Sequence, residues 1–209
     1  MIENIIFDLG GVLYDIDPLL TTEALARCGF TLLPGEFDST DRSSAIDRYE
    51  RGLMSTAEFI EMIQDRANQA ASFEDIKQAC CALMLGFTQQ RIDYLQHLRS
   101  HYRLFLLSNT NAMHIELVNR QLRDTYSLDG LSALFIQPYL SYDMGLRKPE
   151  QQIYRQVVSE QSLPVANTLF VDDTWVNVES ARDCGLQVLH KPRDRELCAV
   201  LPGILSCPA

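Results

Sequence analysis

The stretch IIFDLGGVLYDID, residues 5–17, decides how the rest of the chain is read. In it an apolar, strand-like run stops at a carboxylate, Asp8, and turns at once through Leu9, Gly10 and Gly11. Glycine ends strands, and open α/β sheets gather their chemistry where parallel strands end. Taken alone, the stretch reads equally as a strand, a turn and an acidic loop, because Gly and Asp are ordinary turn residues.

Working outward, three more runs are rich in branched and aromatic residues: RLFLLS (103–108), TLFVDD (168–173) and LQVLH (186–190). They are mostly apolar throughout, which suits strands covered on both faces of a parallel sheet. A further short strand is expected within ALFIQPYL (133–140), and helical patterns occupy NAMHIELVNRQLRD (111–124) and EQQIYRQVVSEQ (150–161). Strand and helix in alternation imply a doubly wound α/β domain.

Residues 17–87 break this rhythm. No strand is expected there, but four helical segments are: LLTTEALARCGF, SSAIDRYERGLM, STAEFIEMIQDRANQA and FEDIKQACCALMLGF. Ser55, with Glu58 three residues on, forms a capping-box pattern. The resulting expectation is a Rossmann-like parallel-sheet core of residues 1–16 and 88–209, with a helical cap of residues 17–87 inserted after the first strand.

The 209 residues are 46% hydrophobic and carry 28 acidic against 18 basic side chains, a formal charge of −10. Without a cluster of Lys and Arg, nucleic acid and anionic membranes are not expected partners. No run is long and apolar enough to span a bilayer. The six cysteines form no C-x-x-C pair and no basic, apolar signal segment precedes the first strand, so reduced thiols and a cytoplasmic location are expected. Cys80 and Cys81 read as fillers of a helical core.

The strand ends carry the chemistry. Asp8, then Ser108, Asn109 and Thr110, then Asp172 and Asp173 follow apolar runs that a parallel sheet brings to one edge, and Lys148 in MGLRKPE can reach the same place. Each is ordinary alone: the Asp pair or the Ser-Asn-Thr run can cap a helix, and the lysine can sit in solvent. Together they are a set. Three carboxylates held close repel unless a hard cation joins them, and Mg²⁺ takes carboxylates together with phosphate oxygens. Hydroxyls, an amide and an ammonium then suit a transferring phosphoryl group.

FDLGGVL, LLSNTN, RKPE and LFVDD, in that order, resemble the four motifs of the haloacid dehalogenase-like hydrolase superfamily, and the helical insertion resembles its type 1 cap. YLSYDMGLRKPEQQIY and VDDTWVNVESARDCG are similar to a bacterial branch of sugar-1-phosphate phosphatases, and more distantly to the phosphatase domain of soluble epoxide hydrolases. The resemblance implies that Asp8 is the nucleophile of an aspartyl-phosphate and a Mg²⁺ ligand, with the Gly10 carbonyl a second ligand. It implies Thr110, or alternatively Ser108, and Asn109 as phosphate holders. Lys148 would neutralise the nucleophile, Asp173 would bind Mg²⁺ directly, Asp172 would act through water or through contacts behind the direct ligands, and Asn177 would orient the acidic edge.

The chain departs from the family at one position. The residue two after the nucleophile is usually an aspartate that serves as general acid and base, and here it is Gly10. Such proton transfer contributes roughly 10²- to 10⁴-fold. Asp15 and Asp17 lie nearby, although an acidic loop or helix cap is the simpler reading of both. The expected activity is a Mg²⁺-dependent phosphatase of small phosphorylated metabolites, sugar phosphates such as a sugar 1-phosphate, whose leaving group needs little protonation. A 2-haloacid dehalogenase, which needs no such acid, is the alternative, and the Asp172-Asp173 pair argues against it. A low-turnover phosphate-binding protein is a further alternative. Arg48, Tyr49 and Arg51 are cap candidates for contacting substrate, with a solvated helix face the simpler reading.

Overall fold

The computed structural model describes residues 1–30, 44–67 and 71–205. Strands β1 (Asn4–Phe7), β2 (Asp15–Ile16), β3 (Met84–Gly86), β4 (Arg103–Ser108), β5 (Gln137–Leu140), β6 (Thr168–Asp172) and β7 (Gln187–His190) form two sheets. Five of them make a sheet in the order β5-β4-β1-β6-β7, with every pair parallel. Side chains alternate across a strand. Accordingly Ile5, Phe7, Leu104, Leu106, Leu169 and Val171 enter the core on one face, whereas Ile6, Phe105, Leu107 and Phe170 enter it on the other. Both faces are covered, which is why these runs are continuously apolar.

The helices are α1 (Pro18–Arg27), α2 (Ala45–Glu50), α3 (Thr56–Gln64), α4 (Phe73–Cys81), α5 (Gln89–Leu98), α6 (Ala112–Tyr126), α7 (Ser141–Met144), α8 (Gln151–Glu160), α9 (Trp175–Asp183) and α10 (Leu197–Val200). The first four share their own apolar cluster, in which Leu25, Tyr49, Phe59, Ile63 and Ile76 meet Met113 of α6. Local signals set their ends. Asp17 caps α1 by accepting from the Leu19 N–H, with Pro18 in the first turn, where a missing N–H costs nothing. The Ser55–Glu58 capping box forms as the sequence predicts.

One expectation for residues 17–87 is corrected. The helical pattern 73–87 stops at Cys81, and Met84–Gly86 is a strand, antiparallel to β2. The pair ties the two ends of the insertion together, aided by the Asp17 N–H bonded to the Leu83 carbonyl at 2.9 Å. Gly86 stands at φ 135, which a side chain would resist. Five of the cysteines are free thiols, Cys80 buried and Cys81 half-buried. Cys207, Ser43 and residues 68–70 of the third predicted helix lie outside the described residues. Among the described residues no helix is long and apolar enough to cross a membrane.

Candidate active site

β1 lies between β4 and β6, with Phe7 level with Leu106 on one side and Val171 on the other. The residues just beyond these positions therefore share one edge. The Asp8 N–H donates to the Val171 carbonyl at 2.8 Å, which fixes the chain where it leaves the sheet. One carboxylate oxygen from each of Asp8, Asp172 and Asp173 lies within 4.8 Å of the others. Lys148 comes to the same point from the loop after α7, its Nζ 2.7 Å from Asp8 Oδ1 and 2.7 Å from Asp172 Oδ2.

Burial is the largest influence on Asp8, raising its pKa to about 7; Lys148 opposes this, and Asp172 and Asp173 push it further up. Burial acts to depress the pKa of Lys148, but Asp172 and Asp8 outweigh it and hold the ammonium protonated. Two cations, Lys148 and Arg193, face the three carboxylates, Arg193 through Asp173 Oδ2. One negative charge is left over. The clustered carboxylate oxygens of Asp8, Asp172 and Asp173 form an all-oxygen donor set that suits a hard divalent cation.

Asp172 is fully buried, and its partners are all protein groups: Lys148 on Oδ2, the Thr174 N–H at 2.8 Å on Oδ1, and Asn177 Nδ2 at 3.1 Å from both oxygens. It orients Lys148 from behind, and Asn177 orients it in turn. The Asn109 side chain is engaged with the Lys148 peptide. Its amide donates to the Lys148 carbonyl and accepts from the Lys148 N–H, both at 2.9 Å. That double bond to one peptide sets the lysine's position. Ser108 and Thr110 both line the adjacent cavity, and the Thr110 backbone is held through its N–H and its carbonyl by the Ser141 hydroxyl, at 2.9 and 3.0 Å.

Neither nearby aspartate replaces the acid missing at Gly10. Asp15 is bonded to Arg91 at 2.7 Å, and Asp17 caps α1. The space a side chain at position 10 would need is partly filled, since a Cβ there would stand 3.1 Å from Ile16 Cδ1. On α2, Arg48 is exposed as the simpler reading has it, but Tyr49 and Arg51 are not solvated. Tyr49 is buried, stacked on Phe59 at 4.5 Å and bonded to Thr56. Arg51 bridges Asp47 and Glu150, at 2.7 and 2.6 Å.

Three charged residues near the site were not singled out in the sequence. Arg147 Nη1 reaches Asp47 at 2.7 Å, its Nη2 reaches Glu50 at 2.6 Å, and Glu50 borders the catalytic edge. Of this stretch only Arg48, Tyr49 and Arg51 stood out in the sequence, and nothing marked Asp47 or Glu50 before the helix was docked on the core.

Two chambers meet here. One of about 690 Å³ holds Asp8, Lys148 and Asp173. The other, of about 450 Å³, lies under the helices and is walled by Ile16, Ile46, Phe59, Leu83, Met84 and Met113. Its polar side chains are largely engaged elsewhere. Thr21 donates to the Cys80 carbonyl and accepts from the Leu83 N–H. His114, kept neutral by burial, lies 3.2 Å from the same carbonyl and 3.2 Å from Asn111.

A family model described as "Hydrolase: haloacid dehalogenase-like hydrolase" matches residues 2–185. The chain is 29% identical to a D-ribitol-5-phosphate phosphatase of Bacteroides thetaiotaomicron, over 99% of this chain and 100% of that one. It is 23% identical to a sesquiterpene phosphatase of Aspergillus oryzae, over 97% and 96% of the two chains. Its fold is similar to the crystal structure of a haloacid dehalogenase family enzyme of B. thetaiotaomicron in complex with magnesium and inorganic phosphate. That likeness has a TM-score of 0.86 at 27% identity, covering 96% of this chain and 99% of the other.

Proposed function

The chain belongs to the haloacid dehalogenase-like hydrolases, and on that premise we propose that it is a Mg²⁺-dependent phosphatase of small phosphorylated molecules, working through an aspartyl-phosphate on Asp8. The observation that carries this reading is Lys148 bridging Asp8 and Asp172 beside Asp173. A carboxylate nucleophile must approach a phosphoryl group that is itself anionic, and a fixed ammonium between them lowers the repulsion. Asp8 attacks phosphorus, Lys148 meets the phosphoryl oxygens, and the Ser108 and Thr110 hydroxyls donate to those that remain. Asp172, Asn177 and Asn109 keep Lys148 in position. Magnesium, held by Asp8, Asp173 and the Gly10 carbonyl, supplies charge neutralisation on the phosphoryl oxygens when bound. Dehalogenation of an anionic substrate gives the Asp172-Asp173 pair no such use.

For the substrate, the finer reading is a sugar or polyol phosphate, such as a sugar 1-phosphate. The relative named for D-ribitol 5-phosphate supports the class. A second reading, a phosphate ester of an apolar alcohol, is favoured by the apolar walls of the smaller chamber and by its internally bonded Thr21 and His114. A screen with Mg²⁺ of sugar 1-phosphates, polyol phosphates and prenyl or aryl phosphates separates the two. Asp8→Asn should abolish turnover on every substrate, and exhaustive chelation should do the same. Full activity after either treatment removes the mechanism. Binding of beryllium fluoride with no hydrolysis of any ester would instead mark a phosphate-binding protein.

A further inference from the structure

The acid missing at Gly10 leaves the departing oxygen without a proton source. We propose that Glu50, at the end of α2, is the general acid and base of the reaction, reaching the leaving oxygen from the helical side of the site. The inference rests on the phosphatase reading above and adds a catalytic residue to it.

The geometry carries the proposal. On the phosphatase reading the phosphoryl group is held between Asp8 and Lys148, which line the larger chamber, and Ser108 and Thr110, which line the smaller one, so the reacting bonds lie where the chambers join. Among the described residues, four line both: Gly10, Ile16, Asn109 and Glu50. Gly10 and Ile16 carry no proton to give, and the amide of Asn109 is bonded to Lys148. Glu50 is the titratable member of the group. The other carboxylate that α2 brings to the larger chamber, Asp47, is bonded by Arg51 and Arg147, both at 2.7 Å. Glu50 Oε2 forms an ion pair with Arg147 at 2.6 Å, and the residue lines both chambers. Burial raises the pKa of the Glu50 carboxyl, with Arg147 and Lys148 opposing and Asp47 adding to it, and a raised pKa suits a group that must hold and then give a proton near neutrality.

The step balances. As the Asp8–phosphorus bond forms and the bridging phosphorus–oxygen bond breaks, the Glu50 proton passes to the departing oxygen and the alcohol leaves neutral. The Glu50 carboxylate then takes a proton from the water that attacks phosphorus. The Asp8–phosphorus bond breaks, inorganic phosphate leaves, and both carboxyl groups are restored.

The test compares Glu50→Gln and Glu50→Asp with the unaltered enzyme on 4-nitrophenyl phosphate, whose leaving group needs no proton, and on primary alkyl phosphates. Glu50→Gln should lower kcat on the alkyl esters by about 10²- to 10⁴-fold while 4-nitrophenyl phosphate falls by less than about tenfold. Glu50→Asp should recover part of the alkyl rate. The aryl rate also reports that the variants fold. Equal losses on both series would make Glu50 only a partner of Arg147, and an undiminished alkyl rate would remove it from the reaction; either overturns the proposal. An unaltered enzyme inert on both series would instead overturn the phosphatase reading, and this inference with it.

Discussion

Lys148 sits in a position that neither Arg nor a neutral residue reproduces. The residue is 4% exposed and its ammonium meets two carboxylates at 2.7 Å, so its removal strands charge in a dry site. Breaking a buried pair from one side costs about 3–5 kcal/mol. Lys148→Met should therefore lower the urea midpoint by that equivalent and reduce kcat at least about 10²-fold, as removal of one fixed donor does. A variant with unchanged urea stability would show that the carboxylates do not depend on the lysine. Asp8, Lys148, Asp172 and Asp173 were legible because each sits at the end of an apolar run or beside a turn, where the sequence itself marks the sheet edge. Asn109 was legible as a candidate site residue, but the bonds of its side chain to Lys148 were not. The direction of an amide depends on the loop it meets, and that loop, at Lys148, lies 39 residues away.

At the scale of elements, α2 is joined to the core by charge. Asp47 accepts from Arg51 on its own helix and from Arg147 of the core loop, while Arg51 reaches Glu150. Burial alone would raise the pKa of Asp47, but the bonds from Arg51 and Arg147 prevail and lower it. A lowered carboxyl contributes stability above its unfolded pKa of about 3.9 and loses it as pH falls through the folded value. Asp47→Asn should cost about 1.5–3 kcal/mol near pH 7. The cost should shrink below about pH 4, where the aspartate is itself protonated. A looser α2 should also displace Glu50 and so lower kcat on primary alkyl phosphates more than on 4-nitrophenyl phosphate; equal effects on both would mean that Asp47 serves the fold alone. None of this network, nor β3, could be read from the chain. β3 has three residues and its partner β2 two, so neither is long enough to show a period, and the pairing exists only because the insertion closes on itself.

For the whole molecule, the acidic site is a strain that metal relieves, and the pH dependence of stability should reveal it. Asp8 has a folded pKa of about 7, raised chiefly by burial, against about 3.9 when unfolded. Between these values the folded chain holds a proton on Asp8 that the unfolded chain has released. Its contribution is therefore fully present below about pH 3.9 and is lost as pH rises through about 7. The lowered carboxyls of Asp47, Glu116 and Glu196 work in the opposite sense, but their contribution changes only at the acid end, below the unfolded values of about 4. Lys148, with its raised pKa, keeps its contribution until the pH exceeds its unfolded value of about 10.4. Between pH 5 and 6.5 His114, which burial keeps neutral, opposes Asp8, because the unfolded imidazole takes up a proton there; between about pH 6.5 and 7.5 the Asp8 effect should dominate. In the presence of EDTA the Tm should fall across that window. Saturating Mg²⁺ should raise Tm by mass action, and more at pH 7.5 than at pH 5, because the ion binds the ionised carboxylates. Asp8→Asn, which carries no charge at that position, should flatten the EDTA profile and exceed the unaltered protein in Tm at pH 7.5. A Tm in EDTA that rises from pH 6.5 to 7.5, or a Mg²⁺ effect larger at pH 5, would mean that the three carboxylates do not share the charge their spacing implies.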